Sequence, residues 1–508
     1  MPTSSRLHHR MACTIVVIAL MAIVSLAQDG KPQVRHAAKG DKTTATGGAL
    51  TVTCIDKKQS FNPGDSETYD ANIYSPKSVA FHPDGSRYYV NSLEGGKTVV
   101  YDVTTGRRLK VISHQHGSGE GALWSDSCSY YRFTHYTDGR SRSFMGKPVE
   151  SAFSHNGRYL WVPYYRRSFD INAQDPSAVA IIDTRCDSIV RMMDTGPLPK
   201  MICCSHDSRL MVVTHWGNNT VGFIDISSND PRQWHHLAPI AIGKELPLNF
   251  SLTQHVDRDK VSGLKLRGTV FTPDDRYLLV SCMGGSGIAV IDVARREWLG
   301  MIGGIGNARH LIAEHGYLYA SINVAGQVMR IPLDSITSAI ARRQGTSIKA
   351  KGWQSCQVGR GARTIALSPS GNFLFAACNF SSELNVVDTR SMKVIARLTV
   401  DSYPVGLDIS RDGTMVVTTS QGRKDHGGGN AVNVFSVTYA DAGAEQQALK
   451  AAANVPVENQ DTTLTAPQPD GSRPVAKLTW QPWMSWAAIL AGIGLIIGVA
   501  WLMSRRDN

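Results

Sequence analysis

Lys77, Lys200, Arg267, Arg309 and Arg363 occupy one equivalent point in five copies of a short repeat, and Val149 and Val405 hold that point in two others. If separate copies bring those cations to one place their fields add, and the place suits an anionic group. The plainer reading is that each pairs with an acid or carbonyl of its neighbour and serves packing. A second group of candidates lies in an insertion, His114–Met145, where Trp124, Tyr130, Tyr131, Phe133, Tyr136 and Phe144 interleave with Arg132, His135, Arg140 and Arg142. Aromatic faces alternating with arginine suit stacking on sugar rings or bases. Trp124, Tyr131, Arg132 and His135, with Tyr164 and Arg166 of the next insertion, are therefore candidate loop contacts. Tyr164–Arg167 and Lys244–Val261 are further candidates for that surface. The same side chains suit a loop packed on its own domain.

Other chemistry finds little support. There is no Cys-x-x-Cys-His for covalent haem, no HExxH, no GxSxG, no P-loop and no paired-cysteine zinc spacing. The pairs His8-His9 and His235-His236 are adjacent, and neighbours on an extended strand point to opposite faces. Glu150, His310 and Asp408 lie near the same repeat position as the cations and are the nucleus a hydrolase would have; their spacing is not diagnostic. No cofactor, metal or catalytic residue is assigned.

The elements that must position these residues are strands. Ser75–Ile112 holds short runs rich in β-branched and aromatic residues, separated by turns at Asp84-Gly85, Glu94-Gly95-Gly96 and Thr105-Gly106, which is one four-stranded antiparallel blade. Gly85 to Asp102, Ser208 to Asp225, Asp275 to Asp292 and Gly371 to Asp388 are each 17 positions apart. Gly157 to Asp183 is stretched by an insertion after Tyr164, Gly316 to Pro332 is one shorter with proline where the aspartate would be, and Gly413 to Ser436 is stretched by GRKDHGGGN. Seven copies predict an all-β fold, a seven-bladed β-propeller spanning 48–440, in which Leu50–Ile55 supplies the outer strand of the last blade and closes the ring.

Tyr89-Val90-Asn91 and the run VVTHWGNNTVGFID over Val212–Asp225, preceded by Pro199-Lys200 and a Ser-His-Asp-Ser turn, resemble the YVTN-type β-propeller repeat proteins. The resemblance covers about Ala49–Tyr439. It implies an extracytoplasmic seven-bladed propeller, with relatives among surface-layer proteins, nucleic-acid binders and sugar-lactone hydrolases. The long insertions depart from the plain repeat, so no site residue is carried over.

The ends add a setting. Arg6 and Arg10 precede the apolar run Met11–Ala27, which closes on Ser-Leu-Ala, so 1–27 reads as a secretory signal peptide, with an uncleaved anchor as the alternative. At the other end 484–503 is apolar and uncharged, flanked by tryptophans and by Arg505-Arg506, and reads as a transmembrane helix with 504–508 as a cytoplasmic tail. Between them 441–480 reads as a disordered stem, with room for a short helix near Ala442–Ala453. Outside the signal eight cysteines remain, allowing at most two disulfides by our reading.

These readings converge on an expectation. The chain of 508 residues with formal charge +11 is a single-pass protein of the cell (inner) membrane, its propeller in the periplasm or outside the cell. It acts as a binding or scaffold module for an anionic or glycan-like ligand or a partner protein. Nucleic acid is a further candidate partner, and a lactonase-type hydrolase using the channel is the alternative. An electron-transfer protein with a non-covalent cofactor is the third reading.

Overall fold

The seven landmark residues, Gly85, Gly157, Ser208, Asp275, Gly316, Gly371 and Gly413, all adopt positive φ, and this is the physical origin of the repeat. Each closes the turn between the first and second strands of a blade. In the first copy Asp84 Oδ1 accepts the Ser86 amide at 2.8 Å while the Gly85 amide donates to His82 O, a side-chain-braced turn that needs a left-handed residue. The aspartate ending the third strand braces the next turn: Asp102 Oδ1 accepts from Thr105 N and Oγ1 at 2.7 and 2.8 Å.

In the computed structural model, which describes residues 36–453 apart from 61–64, 125–127, 132–143, 168–169, 171, 249–255, 286 and 424–427, these turns link seven antiparallel sheets. The first blade runs Pro76–Phe81, Arg87–Ser92, Lys97–Asp102 and Arg108–Ser113. The inner strands of the others begin at Ala152, Pro199, Leu266, Ala308, Ala362 and Pro404. Inner strands of neighbouring blades adjoin from the second round to the seventh, and the seventh adjoins the first. The ring is closed by Leu50–Gln59, which pairs with Ala431–Tyr439 as the fourth strand of the seventh blade; Lys42–Thr44 adds a fifth. The core sits between the sheets, where seven apolar clusters each draw residues from adjoining blades, as where Tyr89 and Val100 of the first meet Leu160 and Ile182 of the second.

The fifth blade departs from the repeat for a visible reason. Pro332 cannot brace the turn as an aspartate does, and the chain instead enters an α-helix at Leu333–Ala341. Ile336, Ala339 and Ile340, at helical spacing, bury into the cluster of the fourth and fifth blades. Ser347–Ile348 then runs parallel to the outer strand of the fourth blade, and Gln354–Gln357 completes the fifth.

The structure narrows two expectations without overturning them. The segment opening the predicted disordered stem is an α-helix over Ala442–Ala453, the short helix the composition allowed. Its alanine, glutamine and glutamate are good helix formers, and it is docked by Glu445, which accepts from Ser368 Oγ (3.1 Å), Ser370 N (2.7 Å) and Ser370 Oγ (2.5 Å). The eight cysteines Cys54, Cys128, Cys186, Cys203, Cys204, Cys282, Cys356 and Cys378 are all free thiols. Among the described residues no helix is long and apolar enough to cross a membrane. The signal segment 1–27, the rest of the stem, the apolar segment 484–503 and the tail 504–508 lie outside the described residues.

Leu50 is buried in the strand that closes the ring. Leu50→Ala should cost about 3 kcal/mol of stability, within the range for a buried leucine, whereas Leu109→Ala, on the exposed edge of the first blade, should stay within about 0.5 kcal/mol of the parent. Denaturant unfolding of the two variants side by side checks this.

Candidate cation-lined site at the channel mouth

The five cations are aimed by a device that recurs blade by blade. A residue of positive φ immediately precedes the inner strand: Ser75, Leu198, Lys265, Asn307, Gly361 and Tyr403. Two positions later the pairing slips. Lys77, Lys200, Arg267, Arg309, Arg363 and Val405 each fall inside a break in register between the inner and second strands. A residue dropped from the ladder bends its strand and re-aims its side chain, here toward the channel.

Contacts between blades hold these points in place. Thr214 Oγ1 of the third blade donates to Arg267 O at 3.3 Å, Ser281 Oγ of the fourth to Arg309 O at 3.3 Å, and Ser321 Oγ of the fifth to Arg363 O at 2.5 Å. Thr364 Oγ1 of the sixth donates to Val405 O at 2.8 Å. Blades also touch through backbone: a Cβ on Gly268 would lie 2.5 Å from Arg309 O, and one on Gly406 2.8 Å from Lys77 O. A larger residue at either point would push neighbouring inner strands apart.

The result is one cavity of about 470 Å³ whose walls include all five cations, together with Val149, Tyr165, Trp216, Asp259 and the mouth residues Ser75, Leu93, Glu94 and Gln421. Its charge is unbalanced. The second blade, which lacks the cation, supplies Glu150 one residue on, and this carboxylate accepts from Lys77 Nζ at 3.2 Å and Arg267 Nη2 at 2.9 Å. Asp259, from the insertion between the third and fourth blades, takes Lys200 Nζ at 3.3 Å and the Tyr165 hydroxyl. Glu94 is neutralised by Lys147 at 2.7 Å. Arg309 and Arg363 have no carboxylate within ion-pair distance among the described residues; Arg309 Nη1 reaches Met283 Sδ at 3.4 Å, the Arg363 guanidinium lies 5.9 Å from the Tyr403 ring, and the Nε of each is buried without a hydrogen-bond partner. A larger groove of about 720 Å³ beside the first blade sets Lys39, Lys57 and Lys58 against Asp56, Asp65 and Glu67, so it offers no comparable excess of one sign.

Burial and repulsion from neighbouring cations act on Lys77, Lys200, Arg309 and Arg363. Lys200 is brought down to about 7 by burial, to which Arg267 and Arg309 add and against which Asp259 works. Burial likewise holds Lys77 and Arg309 well below their ordinary ranges and takes Arg363 to about 10. For Glu150 burial alone would raise the pKa, but Lys77 and Arg267 outweigh it and keep the carboxyl ionised below its usual value. His310, pushed to about 4 chiefly by burial, is neutral near pH 7.

The predicted site residues thus divide. Lys77, Lys200, Arg267, Arg309 and Arg363 share one cavity. Of the loop candidates, Tyr164 is wholly buried with its hydroxyl 2.8 Å from His114 Nδ1 and 3.1 Å from His116 Nε2. Tyr131 is buried edge-on against His215 and His236, and Trp124 lies under Arg167. These three pack insertions onto the propeller and do not line the cavity. Arg166 lies 5.5 Å from the ring of Tyr165, while Arg132 and His135 lie outside the described residues. Of the hydrolase nucleus, Glu150 is taken by Lys77 and Arg267 and its charge also acts on His310, Asp408 accepts the Phe81 amide at 2.8 Å and is raised to about 6 by burial, and among the described residues no group of three histidine, cysteine, aspartate or glutamate residues could hold a metal. Tyr165, Trp216 and Asp259 were not singled out by the repeat. Tyr165 and Asp259 fall in stretches flagged by composition, whereas Trp216 occupies an ordinary turn and carried no signal.

Topology and site define the protein's class as a seven-bladed β-propeller with a cation-lined channel mouth. No family model matches the chain, so the YVTN repeat type has no such support, and no curated protein matches it. Solved structures that resemble it include the Cps50 (Swd1) β-propeller domain of Myceliophteria thermophila (12% identity, 72% of this chain and 97% of that one, TM-score 0.49). Hydrazine synthase of Kuenenia stuttgartiensis (13%, 72% and 96%, 0.48) and the RRP9 WD40 repeats (11%, 72% and 95%, 0.47) are two others.

Glu150→Gln removes the carboxylate shared by two buried cations. It should destabilise the protein by about 3–5 kcal/mol, as breaking a buried pair does, and added sulfate should raise the melting temperature more in the variant than in the parent. Thermal denaturation with and without sulfate reads both effects.

Proposed function

We propose that this propeller is a binding module whose channel mouth holds an anionic group. The observation that carries the reading is the convergence of five cations from five blades on one cavity, where Glu150 pairs with Lys77 and Arg267 and Asp259 with Lys200, which leaves Arg309 and Arg363 without acidic partners among the described residues. A desolvated positive site gains strongly from an incoming carboxylate, sulfate or phosphate, and guanidinium groups match such anions geometrically. In this reading the apolar segments at the two ends deliver the domain outside the cytoplasm and anchor it at the inner membrane, on the strength of their composition and flanks.

A second reading, a partner protein presenting an acidic side chain, is favoured by exposed apolar residues near the same openings of the blades: Tyr74 precedes the first inner strand, and Val324 and Phe380 lie on second-to-third-strand turns that open on that face.

Isothermal titration with sulfate tests the site. The parent should bind, and the double variant Lys200→Met/Arg363→Gln should lose binding while keeping the far-ultraviolet spectrum of the folded sheet; absence of sulfate binding by the parent sinks the proposal. The pH response has a defined sign. Lys200 is charged below about 7 and neutral above it, so affinity should fall as pH rises through that value, and the fall should vanish in Lys200→Arg. Sulfate has no titration of its own in this window.

A further inference from the structure

We infer that Lys200 is an amine nucleophile and that the channel mouth takes an oxo acid, whose anionic group lies on the arginines and whose carbonyl carbon condenses with Lys200 Nζ. This rests on the anion-binding reading and names the class of compound.

Condensation of an amine with a carbonyl needs a neutral, fixed nitrogen, a neighbouring group to move protons, and something to hold the rest of the substrate. Lys200 has all three. Its ammonium end is fixed on three sides, 3.3 Å from Asp259 Oδ1, 3.9 Å from the centre of the Tyr165 ring and 4.9 Å from that of Trp216, and its side chain is only 12% exposed while lining the cavity. Burial, with Arg267 and Arg309 adding to it, favours loss of its proton near neutral pH, as happens to lysines used as nucleophiles beside other cations. Asp259 is the proton carrier, held at once by the Tyr165 hydroxyl and Lys200 Nζ. The charges that face Lys200 from the surrounding elements are Asp259, Arg267 and Arg309, and Lys265 Nζ lies 5.7 Å from the centre of the Trp216 ring.

The other lysine of the cavity is also held well below its ordinary range by burial, but it differs in its carboxylate. Lys77 is bound to Glu150, a carboxylate also committed to Arg267. An exposed lysine would have the space but would stay protonated near neutral pH.

The step balances without an oxidant or reductant. The Nζ lone pair forms a C–N bond as the carbonyl π bond breaks onto oxygen. Asp259 takes a proton from the nitrogen and returns it to that oxygen. The second amine hydrogen follows, the C–O bond breaks, and water leaves with both amine hydrogens, giving an imine. Arg309 and Arg363, with no carboxylate of their own, hold the anionic end.

Reductive trapping with pyruvate or 2-oxoglutarate and cyanoborohydride, followed by peptide mapping, tests the inference on the full chain. The expected result is an adduct on Lys200, formed at a rate that rises through pH of about 7, suppressed by excess sulfate and lost in Lys200→Arg. No adduct, an adduct on Lys77, or adducts spread over exposed lysines would each overturn it. Sulfate binding measured on the same sample separates the two readings: if sulfate binds and no adduct forms at Lys200, the imine is wrong and the anion site stands; if sulfate does not bind, both fall. Mapping on the parent keeps the test decisive even if Lys200→Arg folds poorly.

Discussion

Closure of the ring is the constraint on which everything else depends. Leu50–Gln59, from one end of the domain, pairs along its length with Ala431–Tyr439, from the other. An open seven-bladed array would leave an unpaired sheet edge. It would also let the blades splay where five like charges meet, because cations in a low-dielectric channel repel each other far more strongly than they would in water. The strand pairing turns that repulsion into a property of a fixed cavity. Hydroxyl-to-carbonyl contacts from Thr214, Ser281, Ser321 and Thr364 then carry the constraint from blade to blade, to the residues whose side chains face the channel.

The asymmetry of the ring is what makes the mouth a candidate binding site. A uniform set of seven cations would repel itself without relief. Here the second blade substitutes Val149 for a cation and offers Glu150, which reaches Lys77 and Arg267 together. Two insertions bring Asp259 and Tyr165 to Lys200. One side of the cavity is therefore compensated and structured, and the side formed by Arg309 and Arg363 keeps uncompensated charge. The compensated side also holds the aromatic faces of Tyr165 and Trp216, so the two halves differ in polarity as well as in charge.

The turn chemistry and period were legible in the chain because they are local. A left-handed residue after a braced aspartate and an aspartate ending the third strand act over a few positions, so their spacing survives in the sequence as the 17-residue interval. The helix at Leu333–Ala341 was marked only by the proline in place of that aspartate, and the apolar spacing of Ile336, Ala339 and Ile340 is too short to announce a helix within a β repeat. The aromatic insertion was legible as a feature and ambiguous in role: Trp124, Tyr131 and Tyr164 have the composition of a stacking surface and the placement of packing residues. Composition cannot separate those roles, since a ring buries equally well against a ligand or against its own blade.

By itself the sequence determined the seven-fold repeat, the strand that closes it, and the repeat position at which five cations and two valines stand, because each follows from local backbone preference multiplied by a period. Only the tertiary structure decided which groups meet those cations. Glu150 lies 73 residues from Lys77 and 117 from Arg267, and Asp259 lies 59 residues from Lys200 and 94 from Tyr165. Contacts over such separations depend on ring curvature and on insertion paths that no local pattern encodes. Whether a buried lysine is a paired strut or an amine held near neutrality depends on that company.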